Sequence, residues 1–173
     1  FANQCVYGYQ FWINEEGEIA GEHKGMDWDP QKDDMDYMFL LDKDGKIKER
    51  REEKNLLVSA GLNLVLDRLV GTSENVMSHM GVGTGSTAAA AGNTALETAL
   101  GARQALTSST VTAASVAYVA GWAAGVSTGA ITEAGIFNAS SGGTMLCRSV
   151  FAAINKAAAD SLTITWTITV TES

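Results

Sequence analysis

Few residues in this chain are of a type that does chemistry, and their spacings decide what they can do. The run Gly81-Val82-Gly83-Thr84-Gly85-Ser86-Thr87 is the sort of segment whose backbone N–H groups cradle a phosphate. The nucleotide-binding form needs Gly-x-x-x-x-Gly-Lys-Ser/Thr, and no lysine lies between Gly71 and Arg103, so the run reads as a strand-ending loop. His23 and His79 have no carboxylate, cysteine or second histidine at ligand spacing. Ser59, Ser86 and Ser149 lack a nucleophile-elbow context. Asp42-x-Asp44-Gly45 shares its opening with a calcium loop but lacks the third acidic position and the closing glutamate, which makes it a turn. Asp27, Asp29, Asp33 and Asp34 could attract a cation, and a solvated acidic loop is the expectation for them. Glu133 and Arg148 fall in neighbouring apolar strands and are expected to form a cross-strand ion pair. Cys5 and Cys147 lie far apart in different settings, as befits two buried reduced thiols. The reading therefore assigns no catalytic, cofactor-binding or metal-ligating residue, expects no cofactor, and places the chain outside the enzymes.

Charge tells more than motif. The chain has 173 residues and a net charge of −8, a sign opposite to that of a nucleic-acid surface. It has no run of eighteen apolar residues and no basic segment leading into an apolar one, so neither a membrane span nor a signal peptide is expected. Residues 1–54 hold 14 of the 20 acidic and 8 of the 12 basic side chains, leaving ten charges for the 119 residues from Asn55 onward. The later part uses Thr, Ser, Ala and Gly at its polar positions, and small neutral groups cost little to desolvate against a neighbour.

The elements that would position these residues are mostly strands. Leu162, Ile164, Trp166, Ile168 and Val170 alternate with Thr163, Thr165, Thr167 and Thr169, a period of two that buries one face of a strand. Ile131 to Asn138 and Met145 to Ile154 read as the two strands before it. Turns at 140–143 and 157–161 would join all three into an antiparallel meander. Val111 to Trp122 is also β-like, with Val116, Tyr118, Ala120 and Trp122 on one face. Val76 to Val82 is a short strand, and 94–100 suggests one helical turn. Tyr37 to Arg50 reads as a hairpin about the Asp-Gly turn.

A helix is expected over 55–70. Leu57, Ala60, Gly61, Leu64 and Val65 set its apolar stripe, Leu62, Leu66 and Leu69 widen it, and only Asp67 and Arg68 are charged. Asn55 or Ser59 would cap it, Gly71 would end it, and it should pack, well buried, across a sheet. Residues 1–36 show no sustained period. They fit either an extended arm anchored by aromatics or an edge hairpin of Val6 to Ile13 with the chain from Glu18. The expected fold is mainly β, an antiparallel sandwich or jelly-roll-like domain with one packed α-helix and an extended N-terminal arm. A charged N-terminal arm or hairpin region spans 1–54, and the β-rich core spans 55–173.

From residue 57 to 170 the order of segments resembles a known class. It runs from Leu69-Val70-Gly71 through Met80-Gly81-Val82-Gly83-Thr84-Gly85-Ser86-Thr87 and Gly92-Asn93-Thr94-Ala95-Leu96. It then passes Ile131-Thr132-Glu133-Ala134-Gly135-Ile136-Phe137 and Ser141-Gly142-Gly143-Thr144-Met145-Leu146 to the threonine-striped strand. This resembles virion proteins of tailed bacteriophages, of the capsid decoration (cement) or the tail and fibre type. The resemblance implies a β-rich oligomer without catalysis that is part of the virion. As a cement protein it would be a homotrimer bound to the major capsid protein or another virion protein, with neither nucleic acid nor membrane as partner. A tail, baseplate or fibre component is the alternative in the same class. A carbohydrate-binding module is the alternative outside it, with Trp12, Trp28, Trp122 and Trp166 as stacking candidates, although core packing accounts for Trp122 and Trp166. Phe11, Trp12, Trp28 and Tyr37 are the residues expected to anchor a partner.

Overall fold

The computed structural model describes residues 11–13, 19–22, 35–71 and 74–170, with side chains described from Met38 onward. The chain forms two compact units, 1–32 and 33–173. In the first, β1 (Phe11–Ile13) pairs antiparallel with β2 (Ile19–Glu22), so the described part of the N-terminal region is a short hairpin.

The second unit is a sandwich of two five-stranded antiparallel sheets. Its elements in chain order are β3 (Met35–Leu41), β4 (Ile47–Lys54), β5 (Leu56–Leu57), α1 (Ser59–Leu69), β6 (His79–Gly83) and β7 (Gln104–Ala105). There follow β8 (Ser108–Thr112), β9 (Ser115–Trp122), β10 (Gly129–Phe137), β11 (Met145–Lys156) and β12 (Ser161–Thr169). One sheet has the order β5-β11-β10-β6-β7, the other β4-β3-β12-β9-β8. Their facing sides share one apolar core, with Met80, Val82, Ile131, Ile136 and Ile154 from the first and Met38, Leu40, Trp122, Ile164 and Trp166 from the second. The chain passes between the sheets at both sides of the sandwich, directly from β4 to β5 at one and from β7 to β8 at the other.

Periodicity identified the strands, and pairing corrected their arrangement. β10 and β11 form the expected hairpin, with Gly142 and Gly143 at φ 58° and 66° supplying left-handed turn conformations. β12 does not join them as the third strand of a meander. It crosses to the other sheet and lies between β3 and β9, where Leu162, Ile164 and Trp166 face the core. An alternating strand states which face it buries and leaves open which sheet it enters. The stretch 111–122 is broken by a tight turn at Ala113-Ala114, Ala113 having φ 51°, into β8 and β9. Residues 94–100 form no helical turn and run as an irregular loop with a single bridge, Gly83 to Ala99.

The hairpin β3–β4 forms about the Asp-Gly turn as expected. Asp42 Oδ1 accepts N–H bonds from Asp44 and Lys46, both at 2.9 Å, and Gly45 has φ 78°. It pairs with β12, so the compact C-terminal unit begins at Asp33 and includes the charged segment that the sequence had suggested setting apart with residues 1–54. The physical reason is that β4 is an edge. Seven of its eight residues are charged, which is how sheets guard an open row of N–H and C=O groups.

The helix begins at Ser59 rather than Asn55. Leu57 and Leu56 pair with Cys147 and Arg148 of β11, and the Val58 N–H donates to the Leu146 carbonyl at 3.1 Å. Tertiary pairing has thus taken the first turn that the apolar spacing offered to a helix. Val58 is the N-cap and no side chain caps it, while the Ser59 N–H is met by the Ala91 carbonyl at 2.8 Å. At the other end Gly71, at φ 80°, occupies the expected position past the helix. The packed face is narrow. Gly61 and Leu64 are buried, and a Cβ on Gly61 would lie 2.1 Å from the Leu146 carbonyl oxygen, so only glycine allows this approach to β11. Ala60 is partly buried against Val58, Phe137 and Met145, and Leu62, Val65, Leu66 and Leu69 are exposed, contrary to the expected deep burial.

Candidate functional site

The densest polar centre among the described residues lies on the outer face of the first sheet, under the loop from Thr84 to Leu100. Glu133 projects from β10 and Arg148 from β11, and both are buried. Arg148 Nε donates to Glu133 Oε2 at 2.9 Å, the ion pair expected from the sequence. Arg148 Nη2 stands 2.9 Å from the same oxygen and 3.5 Å from Glu97 Oε2, without an aligned hydrogen bond. Arg148 Nη1 donates to Asn93 Oδ1 at 3.0 Å.

Three backbone N–H groups complete the carboxylate's shell. Gly85 at 3.0 Å and Thr98 at 2.8 Å donate to Oε1, and Glu97 at 3.0 Å donates to Oε2. A carboxylate offers about four acceptor sites, and here four protein donors occupy them. The glycine-rich loop therefore does wrap an anion, and that anion is the protein's own. A Cβ on Gly83 would come within 2.4 Å of Glu133 Oε1, and one on Gly85 within 2.5 Å, so the glycines are the residues that make room for the carboxylate. Glu97 fastens the loop from above. It accepts bonds from the Thr87 N–H at 2.8 Å and the Thr87 hydroxyl at 2.7 Å, and these hydrogen bonds, the hydroxyl's foremost, hold its carboxyl below the usual range. Thr132 donates to the Gly85 carbonyl at 2.8 Å. The centre staples a long loop to a sheet and leaves no acceptor of Glu133 for a substrate.

A second polar group ties the sheets together at the β11–β12 crossing. Asp160 accepts from the Ala157 N–H at 2.9 Å and from Lys48 of β4 at 2.6 Å, and its carboxyl is held below the usual range, chiefly by Lys48. Lys156 is buried with Nζ donating to the Ala123 carbonyl at 3.0 Å, and burial pushes its ammonium pKa down. Next to the Glu133 centre is a shallow open cleft of about 420 Å³ lined by Lys54, Asn55, Ser86, Arg148 and Ser149 among others.

The sequence-derived partner residues are divided by the fold. Phe11 and Trp12 lie in β1 of the first unit. Tyr37 lies in β3 of the second, paired with Glu52 and Thr165, so it belongs to the sandwich and not to an arm. The side chains of these three, and Trp28 altogether, lie outside the described residues. So do Cys5, His23 and the acidic positions Asp27, Asp29, Asp33 and Asp34. Cys147 is buried in β11. His79, in β6, contacts the Ser78 hydroxyl at 2.9 Å. Trp122 and Trp166 are in the core, as their alternation with apolar neighbours indicated, and offer no stacking surface to a glycan. Among the described residues no group of three His, Cys, Asp or Glu side chains is disposed to hold a metal, and no helix is long and apolar enough to cross a membrane.

Sequence reasoning missed the cradle. Its signal was present as two glycines spaced Gly-x-Gly beside a strand bearing a lone glutamate, but the partner of a glycine is invisible without the fold.

No protein-family model, curated protein or solved structure matches the chain. The function rests on the residues themselves.

Proposed function

We propose that this chain is a non-catalytic structural protein of a phage virion, a capsid decoration protein that binds the assembled shell and stabilises it. The observation that carries the reading is the disposition of polar groups. The most elaborate polar centre is spent internally, on fastening residues 84–100 to the sheet, and the exposed faces outside β4 are built largely from Thr, Ser, Ala and Leu. A compact body whose faces outside β4 are largely uncharged suits a subunit whose task is to be covered by neighbours, since uncharged groups give up water cheaply. The segments that carry the likeness to phage proteins (α1, β6, the glycine loop, β10, β11 and β12) also belong to this one body.

The test is to mix the purified full chain with phage heads lacking decoration and to image them by electron microscopy. Saturable binding at a fixed copy number per capsomer, with a raised shell-disruption temperature, is the expected result. Density confined to the tail would move the assignment to a tail or fibre component. Absence of any particle-bound density would end the virion reading.

A further inference from the structure

We infer that α1 is a self-association surface and that its occupant is the same face of a second copy of this chain. The inference rests on the assembly reading above only in the choice of occupant; the surface itself follows from the helix. At 100° per residue, Leu62, Val65, Leu66 and Leu69 stand at i, i+3, i+4 and i+7 and form one continuous stripe, with Val70 extending it. Of the residues that hold the helix to its own sheet, Leu64 lies on the opposite side and Gly61 on the flank next to Val65. The stripe is consequently bare. Leu62 is 48% exposed, Val65 42%, Leu66 52%, Leu69 78% and Val70 80%.

A surface helix in a monomer turns its leucines inward and its charges outward. This one shows solvent a leucine seam, and its polar Asn63 and Asp67 lie to one side. At ~100 Å² for a bare Leu or Val side chain, the seam exposes roughly 300 Å² of apolar surface per copy. A standard interface covers about 800 Å² per partner, a homodimer's being about two-thirds apolar. The helix alone thus supplies more than half of the apolar share. Leu56 and Leu57, each 37% exposed, lie just before the N-cap Val58 and add further apolar surface.

A second copy fits this surface on two counts. An i, i+3, i+4, i+7 ridge is the shape that packs against a like helix. The seam also carries no charge, so a symmetric contact, in which each residue meets its counterpart patch, brings no like charges together even though each chain carries a net −8.

The experiment is sedimentation of the full purified chain and of Leu66→Glu/Leu69→Glu, without particles. Both substituted positions are more than half exposed in the single chain, so far-UV circular dichroism should not change. The wild type should sediment as a multimer, and the double variant should dissociate with self-association weakened by roughly 100-fold or more. Leu69→Lys, at the more exposed position, repeats the test if the double variant misfolds. A monomeric wild type overturns the inference, whether α1 is then found bare, covered by residues 1–32 or captured by a different protein. So does a variant that assembles as well as the wild type. Because no particle enters the measurement, failure here leaves decoration standing, and failure to decorate leaves self-association standing.

Discussion

β4 and the Glu133–Arg148 centre use the same residue types to opposite ends. In β4, seven charges in eight residues line an open sheet edge, and every residue is at least partly solvated. Arg50 pairs with Glu52, and Arg51 Nε donates to Glu49 at 2.6 Å, each with a neighbour two positions along the strand. Glu49 and Arg51 share the face of buried Leu40 and Met38, so even inward-pointing positions at this edge are charged. In the buried centre one carboxylate and one guanidinium are removed from water and then surrounded by fixed donors and acceptors. The first arrangement is insensitive to the identity of any one residue, because water can replace a lost partner. The second is not, because the group left behind has nowhere to go. Where charge sits, rather than how much there is, separates a guarded surface from a structural fastening.

Four measurements sharpen or break this contrast, and the largest effect belongs to the buried pair. Arg148→Ala leaves Glu133 buried without its countercharge and should cost roughly 3–5 kcal/mol in denaturant unfolding. A loss no larger than that of a surface change would mean the three N–H donors suffice alone. Gly83→Ala should cost about 1–3 kcal/mol, since the added methyl meets both the Glu133 carboxylate and the Thr98 carbonyl, each at 2.4 Å. Unchanged stability would show that loop and carboxylate can part without penalty.

The third measurement concerns pH. Asp160 has its carboxyl pKa lowered in the fold, so between that value and the ordinary aspartate range, near 4, the unfolded chain binds more protons. The stability it contributes is present above that range and is lost as pH falls through the folded pKa. Lys48→Ala removes the leading cause and should reduce this acid-dependent part, visible as a shallower loss of melting temperature between pH 5 and 2 (about the span in which such carboxylates titrate). An identical profile would free Lys48 of this role. The smallest effect belongs to β4: Arg50→Gln/Glu52→Gln should change stability by about 0.5 kcal/mol or less. The aggregation rate on mild heating should nonetheless rise, because the edge has lost part of its guard. No rise would remove the edge-protection account.

Much of this was legible in the sequence, and the illegible part has a common cause. The alternation from Leu162 and the Asp-Gly turn at 44–45 specify local geometry, and both form as read, except that β12 ends at Thr169 and Val170, expected on the buried face, is exposed. The Glu133–Arg148 pair was legible because two charges in apolar strands need each other. The sheet that β12 enters, the capture of Leu56 and Leu57 by β11, and the split of α1 into a packed and a bare face all depend on partners distant in the chain. An apolar count finds leucines without saying which of them face inward. The density of charge up to residue 54 suggests a boundary there, whereas the charges of β4 line the edge of a sheet in the same compact unit as the residues that follow.

The crossing of β12 into the second sheet has a consequence for synthesis. Its partner β3 lies at least 120 residues earlier, Ser161 meeting Leu41 and Thr165 meeting Tyr37. A ribosome therefore releases the β3–β4 hairpin long before the strand that will lie between β3 and β9 exists. Until β12 emerges, the unfilled side of β3 and the buried-to-be faces of Met38 and Leu40 stand open on the nascent chain. The seven charges on β4 guard the hairpin's other side throughout that wait, when the half-built sheet is most exposed to pairing with another copy.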